Sequence, residues 1–76
     1  MLFFNDFKQM INIKVNNTTH QFATNSSLEA VLNGLSIPAN GIAVAINQTI
    51  IAKNDWDTTR LIDGDHLLII TATQGG

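Results

Sequence analysis

Only one segment of this 76-residue chain has the apolar spacing of an amphipathic helix. Its apolar residues recur at positions i, i+3, i+4 and i+7, and they are Leu28, Val31, Leu32 and Leu35. Ser26 and Glu29 have the spacing of a capping box, which predicts that Ser26 caps the helix. Gly34 is expected to take the left-handed conformation at the end of the helix, and Pro38 prevents continuation. The sequence therefore predicts one short helix.

A β-hairpin is predicted before this helix. Apolar and polar residues alternate over residues 11–16, as in a strand with one buried face. Asn16 and Asn17 tolerate the left-handed backbone of a tight turn, and residues 18–22 form the expected returning strand. The folded domain is therefore expected to open with two antiparallel strands.

A second strand pair is predicted after the helix. Residues 42–46 are apolar on both faces, which indicates a strand inside a sheet. Asn47 and Gln48 then turn the chain into a partner strand at residues 49–51. Residues 53–61 have no clear period, and we expect a single helical turn there, with Trp56 closing one end of the core.

The last strand is predicted at residues 66–72, after a turn at Asp63-Gly64-Asp65. One helix across one face of a mixed sheet of four to five strands would bury all these apolar stripes, so the predicted class is α+β. The folded domain is placed at residues 10–72, followed by a flexible tail at residues 73–76. Two interpretations of residues 1–9 stay open: a disordered or non-native extension before a natural start at Met10, or a Phe-rich segment that packs on an open surface.

Composition excludes several classes of function. Hydrophobic residues make up 45% and charged residues 13%, a balance typical of a packed globule. The chain has no cysteine, which excludes disulfides and thiolate metal sites and favours a reducing cytoplasm. Four basic residues and a net charge of -2 argue against nucleic acid as a partner. No apolar run approaches the roughly 18 residues that cross a bilayer.

Neither a catalytic site nor a metal site is predicted. His20 and His66 have no triad-type partners nearby in sequence, and both are expected to face solvent. Asp63 and Asp65 could suggest a cation site, but a turn explains them more simply.

The last strand predicts a docking surface. Leu67 and Ile69 are expected to point inward, which leaves Leu68 and Ile70 on the face that the single helix does not cover. We expect these two residues to lie beside Ala45 and Ile51 in an exposed apolar patch that a partner protein covers.

The order of these motifs resembles the ThiS family of bacterial thiamine-biosynthesis sulfur carriers, which have the ubiquitin-like β-grasp fold. The resemblance runs from about Met10 to the C terminus and rests on several segments in order. They are the opening hairpin, Ser27-Leu28-Glu29-Ala30-Val31-Leu32, Ala43-Val44-Ala45-Ile46-Asn47, Ile50-Ile51, Trp56, Leu61-Ile62-Asp63-Gly64-Asp65 and the terminal Gly75-Gly76.

The resemblance implies that the chain is a co-substrate and not an enzyme. A partner related to ubiquitin-activating enzymes would use ATP to adenylate the Gly76 carboxylate, and a sulfur-donor enzyme would convert the adenylate to a thiocarboxylate for thiazole synthase. No cofactor would be bound by the chain itself. Thr73, Gln74 and Gly75 would enter the partners' active sites, since glycine lacks a Cβ and four extended residues reach about 13 Å.

Three other functions are alternatives to a sulfur carrier of thiamine biosynthesis. The small subunit of molybdopterin synthase is also a β-grasp carrier ending in Gly-Gly, but it usually has an Arg-rich, aromatic first hairpin loop, where this chain has Asn16-Asn17-Thr18-Thr19. A ubiquitin-like protein modifier would use the same tail to form isopeptide bonds. A stand-alone enzyme is the least favoured class, because so short a chain lacks room for an enclosed cleft.

Overall fold

The structure is a computed structural model, and it describes residues 9–71. Its elements, in chain order, are β1 (Met10–Val15), β2 (Thr18–Ala23), α1 (Leu28–Gly34), β3 (Ile42–Ile46), β4 (Thr49–Ile51), a 3₁₀ turn (Lys53–Asp55) and β5 (His66–Thr71). The element types and their order agree with the sequence-based expectations. Residues 1–8 of the proposed extension at residues 1–9, and the proposed tail at residues 73–76, lie outside the described residues, so these domain boundaries stay predictions.

The strands form one five-stranded mixed sheet in the order β2-β1-β5-β3-β4. β1 and β5 pair in parallel, and the other neighbouring strands pair antiparallel. The last strand therefore lies in the centre of the sheet, between the first strand and the third. With α1 packed on one face, this is the predicted α+β architecture of the β-grasp type.

Two-residue turns close both hairpins. Asn16 and Asn17 have φ values of 47° and 73°, and Asn47 and Gln48 have φ values of 49° and 75°. Positive φ at both central residues is the geometry of a type I′ turn, whose twist matches that of the flanking strands. Asparagine tolerates this backbone region better than most residues, so the two Asn-containing turns set the register of both hairpins.

The core lies between α1 and the inner face of the sheet. Its buried members come from every layer of the domain: Ile11, Ile13, Val15, Leu28, Val31, Leu32, Val44, Trp56, Leu61 and Leu67. Trp56 closes the core as expected, with its side chain 5% exposed. Its indole Nε1–H donates to the Ile51 carbonyl oxygen at 3.1 Å, which satisfies the polar edge of the ring.

The N-terminal cap of α1 is Ser27, and the prediction of Ser26 was wrong. Ser27 Oγ accepts a hydrogen bond from the Ala30 N–H at 3.0 Å. The N–H of Glu29, which a cap at Ser26 would have bonded, donates instead to the Trp56 carbonyl. The tertiary contact between the helix start and the segment after the 3₁₀ turn therefore shifts the cap by one residue.

The left-handed residue at the other end of α1 is Ser36 (φ 60°), and the prediction of Gly34 was wrong. Gly34 is the last residue of the helix. The Ser36 N–H donates to the Asn33 carbonyl at 3.1 Å, and the Ile37 N–H donates to the Leu32 carbonyl at 3.0 Å. This is the Schellman pattern, and it brings Ile37 against the core.

Within residues 9–71, no helix has the length and hydropathy that a membrane-spanning segment requires.

Candidate functional site at the end of the central strand

The candidate site begins at the C-terminal end of β5. Thr71 is the last residue of β5, and its partner across the sheet is Ile42 of β3. The residues that sequence analysis assigned to the tail, Thr73, Gln74, Gly75 and Gly76, lie outside the described residues. Their roles therefore stay predictions. The structure describes the C-terminal end of β5, Ile69 to Thr71, which we call the root of the tail.

Asn16 binds the backbone of β5 with its side chain. Its Oδ1 accepts a hydrogen bond from the Ile69 N–H at 2.8 Å, and its Nδ2 donates to the Ile69 carbonyl oxygen at 3.2 Å. The Asn16 N–H also donates to the Leu67 carbonyl at 3.0 Å. One residue of the first hairpin turn thus makes three hydrogen bonds to the middle of the central strand, at Leu67 and Ile69. Sequence analysis assigned Asn16 only to the turn and missed this contact.

Asn47 makes a similar contact at the beginning of β5. Its Oδ1 accepts from the His66 N–H at 3.0 Å, and its backbone N–H donates to the His66 carbonyl at 2.8 Å. Its Nδ2 donates to the Asp65 carboxylate at 2.9 Å. The asparagines that open the two hairpin turns therefore both bind the backbone of β5, Asn47 at its first residue and Asn16 at Leu67 and Ile69.

The face of the sheet that α1 does not cover is apolar along β5 and β4. Leu68 is 50% exposed, Ile70 46% and Ile50 63%. We call these three residues the apolar patch. Leu67 is fully buried and Ile69 packs against the core, so the predicted facing of all four consecutive residues of β5 is confirmed.

Two residues expected in the exposed apolar patch are not part of it, one because it lies on the other face and one because it is buried. Ile51 pairs with buried Val44 and packs against the core, so it belongs to the opposite face. Ala45 is on the patch side, but it is only 4% exposed because its short side chain lies between Leu68 and Ile50. Ile50 takes the place predicted for Ile51. The two-residue turn after Ile46 pairs Ala45 with Ile50, and counting the register from that turn would have found it.

Apart from Met10 at the start of β1, which is 50% exposed, the same uncovered face is polar along β1 and β2. In β1, Asn12 and Lys14 are exposed and alternate with buried residues, and their cross-strand partners are Gln21 and Thr19. The boundary between the polar half and the apolar half follows the line between β1 and β5. A partner that binds the apolar patch therefore meets a surface next to the root of the tail, with a polar border on one side.

The acidic residues of the turn before β5 have structural roles. Asp63 Oδ1 accepts from the Asn12 N–H at 2.7 Å, and Asp65 Oδ2 accepts from the Ile62 N–H at 2.9 Å. Among the described residues, no group of three or more His, Cys, Asp or Glu side chains could hold a metal ion. The turn interpretation of Asp63 and Asp65 agrees with these contacts.

The two histidines differ in their surroundings. His66 is exposed, as expected. His20 was expected to face solvent, but it pairs with buried Ile13 and is half-buried on the core face. Its ring centroid lies 6.2 Å from that of Phe22. The imidazole of His20 thus covers the edge of the core and has no place near the root of the tail.

The model of the ThiS family matches residues 1–76. The chain belongs to the ThiS family. Family membership supports a role as a sulfur carrier in thiamine biosynthesis and partnership with sulfur-transfer enzymes in general.

A solved structure supports the fold assignment independently. The crystal structure of the thiamine biosynthesis protein ThiS from Geobacter metallireducens superposes with a TM-score of 0.77 at 23% sequence identity. The match covers 87% of this chain and 100% of that chain. At this level of identity the likeness establishes the shared fold. No curated protein sequence matches the chain significantly.

Proposed function

We propose that this chain is a sulfur carrier of thiamine biosynthesis and that the sulfur is carried on the C-terminal carboxylate of Gly76. The observation that carries the proposal is the match to the ThiS family over residues 1–76. The position of β5 supports it, because the central strand of the sheet ends at Thr71, five residues before Gly76 in the sequence. The protein of Geobacter metallireducens with the same fold is itself described as a thiamine biosynthesis protein.

The proposed chemistry takes place on the acyl group of Gly76, in the active sites of partner enzymes. A carboxylate is a poor electrophile, so an enzyme related to ubiquitin activators first transfers AMP from ATP to it and releases pyrophosphate. Sulfur at the oxidation level of sulfide, supplied by a donor enzyme, then attacks the acyl carbon and displaces AMP. The product is a thiocarboxylate, an ionised and soft nucleophile that delivers its sulfur to thiazole synthase. This chain contributes the acyl group and no catalytic side chain.

The length of the chain after β5 suits this task. Five residues follow Thr71, and fully extended they span at most about 17 Å. Gly75 and Gly76 lack a Cβ, which lets the end of the chain enter a narrow channel and adopt conformations closed to other residues. The folded domain can then remain outside the partner's active site while Gly76 reacts inside it.

The apolar patch of Leu68, Ile70 and Ile50 is the proposed docking surface for the activating enzyme and for thiazole synthase. Three large aliphatic side chains, each 46% or more exposed, lie together on the uncovered face of the sheet. Burying apolar area of this kind against a partner contributes roughly 25 cal/mol per Å² before the cost of association is subtracted. Two of the three residues belong to β5, so docking at the patch also fixes the position of this strand, from which the tail continues, relative to the partner.

Intact-protein mass spectrometry tests the proposal. The chain is incubated with ATP, a sulfur donor and the cognate activating enzyme, and we expect an oxygen-to-sulfur exchange at the C terminus. A variant that lacks Gly76 is the matched control, and it should fold normally and show no exchange. Absence of exchange in the full chain, with an activating enzyme that modifies its own established carrier, would rule the proposal out.

Two further assays separate the alternatives that share this first step. Purified thiazole synthase should remove the sulfur from the thiocarboxylated chain, and molybdopterin synthase should not. A search of cell lysate for conjugates of higher mass tests the protein-modifier alternative. Conjugates that disappear on deletion of Gly76 would show that the chain also forms isopeptide bonds.

A further inference from the structure

We propose that Asn16 is a positioning residue, whose side-chain amide holds β5 at Ile69, two residues before the strand ends, and so restricts the direction in which the C-terminal segment continues. This inference rests on the proposed function of Gly76 and extends it to a residue far away in sequence. The contact joins the first hairpin turn to the last strand, and Asn16 and Ile69 are 53 positions apart in the sequence.

The parallel pairing of β1 with β5 explains why a side chain is needed here. The ladder includes hydrogen bonds from the Lys14 N–H to the Asp65 carbonyl and from the Asn16 N–H to the Leu67 carbonyl, both at 3.0 Å. Regular continuation would bring the next backbone groups of β1 to Ile69. The type I′ turn at Asn16 and Asn17 instead directs the chain away into β2. Without a substitute, the edge of Ile69 that faces β1 would have only solvent as a partner.

The amide of Asn16 replaces both missing backbone groups. Its Oδ1 takes the position of a strand carbonyl and its Nδ2 takes the position of a strand N–H, so Ile69 is bonded through both its N–H and its C=O. On its other side, Ile69 is paired with Val44 of β3. Among the described residues, Ile69 is the last residue of β5 with a neighbour on each side, because Ile70 and Thr71 pair with β3 alone.

The hydrogen bonds between Asn16 and Ile69 affect how often Gly76 reaches the partner's active site. Loss of the amide frees the β1 side of Ile69, so that from Ile69 onward β5 is held by β3 alone and its end can move over a wider range of directions. The apolar patch would still dock, but a smaller fraction of docked complexes would hold Gly76 in the partner's active site. Misplacement of a reacting group lowers the rate of the chemical step more than it lowers binding. The expected signature is therefore a lower kcat for adenylation with a nearly unchanged KM.

The chain offers matched variants for the test. Asn16→Gly removes the amide and keeps the turn, because glycine adopts a φ of 47° without strain. Asn17→Gly makes the same change at the next residue, where no side-chain hydrogen bond is found within residues 9–71. Asn47→Gly removes the corresponding amide at the first residue of β5. Asn16→Asp retains the acceptor for the Ile69 N–H and loses the donor to the Ile69 carbonyl.

The experiment measures adenylation by the activating enzyme, as ATP–pyrophosphate exchange, together with amide hydrogen exchange of the free chain. We expect Asn16→Gly to lower kcat about tenfold, which corresponds to the loss of one or two net hydrogen bonds, with KM changed by less than about twofold. Hydrogen exchange should accelerate at Ile69 in this variant and at His66 in Asn47→Gly. Asn17→Gly and Asn47→Gly should keep a kcat close to that of the unaltered chain, and Asn16→Asp should recover part of the loss.

Three results would overturn the positioning role. They are a kcat of Asn16→Gly equal to that of Asn17→Gly, an effect of Asn16→Gly on KM alone, and unchanged hydrogen exchange at Ile69. Failure of the proposed function is distinct, because then the unaltered chain itself would not be adenylated, whatever residue stands at position 16.

Discussion

Leu67 and Leu68 are neighbours in β5, yet Leu67 is 0% exposed and Leu68 is 50% exposed. Successive side chains of a strand point to opposite faces of the sheet, and only one of these faces is covered by α1. The strand thus divides a structural role and a binding role between these two residues. Leu67 contributes to the stability of the domain, and Leu68 contributes to the proposed docking surface.

The first prediction tests this division by the same substitution at both positions. Leu67→Ala should lower the free energy of unfolding by about 2 to 5 kcal/mol, because it leaves a cavity in the core. Leu68→Ala should lower it by less than about 1 kcal/mol, because the side chain is half exposed. Urea denaturation of the two variants measures the difference, and equal losses of stability would contradict the assigned register of β5.

The second prediction concerns the apolar patch. Ile50→Asp should raise the KM for the activating enzyme about tenfold or more, because it places a charge within an interface that excludes water. Ile62→Asp is the control, since Ile62 is 67% exposed and Ile50 63%, but Ile62 lies outside the strands of the sheet. Steady-state kinetics at fixed ATP measures both variants. If both raise KM equally, docking does not depend on the patch.

The third prediction concerns the helix cap. Ser27→Ala should destabilise the domain by about 1 kcal/mol, because the Ala30 N–H loses its side-chain acceptor. Ser27→Asp should retain most of the stability, because a carboxylate accepts the same hydrogen bond and interacts favourably with the helix N-terminus. Thermal unfolding of the two variants gives the comparison. A carboxylate that fails to restore stability would show that the Ser27 hydroxyl does not act as the cap.

The fourth prediction is a stabilising substitution at the end of α1. Ser36 has a φ of 60°, a conformation that costs residues with a Cβ roughly 1 kcal/mol relative to glycine. Ser36→Gly should therefore raise the free energy of unfolding by about 0.5 to 1 kcal/mol. Ser36→Ala serves as the control, because alanine has no such freedom and should give no gain. A loss of stability in Ser36→Gly would argue against the Schellman geometry.

The amino-acid sequence by itself determined the elements of this fold. The alternation in β1, the i, i+3, i+4 and i+7 spacing in α1 and the asparagines of both hairpin turns are local patterns, and each depends on residues close together in the chain. The facing of Leu67 to Ile70 also followed from local alternation once a single helix was predicted. Family resemblance then connected these elements to the Gly75-Gly76 end.

Only the tertiary structure decided the features that join distant segments. The cap of α1 moved to Ser27 because the Trp56 carbonyl takes the N–H of Glu29. Ile50 replaced Ile51 on the uncovered face because the pairing of β3 with β4 determines which side chains point outward. The hydrogen bonds between Asn16 and Ile69 exist because β1, near the start of the chain, pairs in parallel with β5, near its end. A sequence pattern records periodicity within a segment, whereas these contacts depend on which segments become neighbours in the sheet.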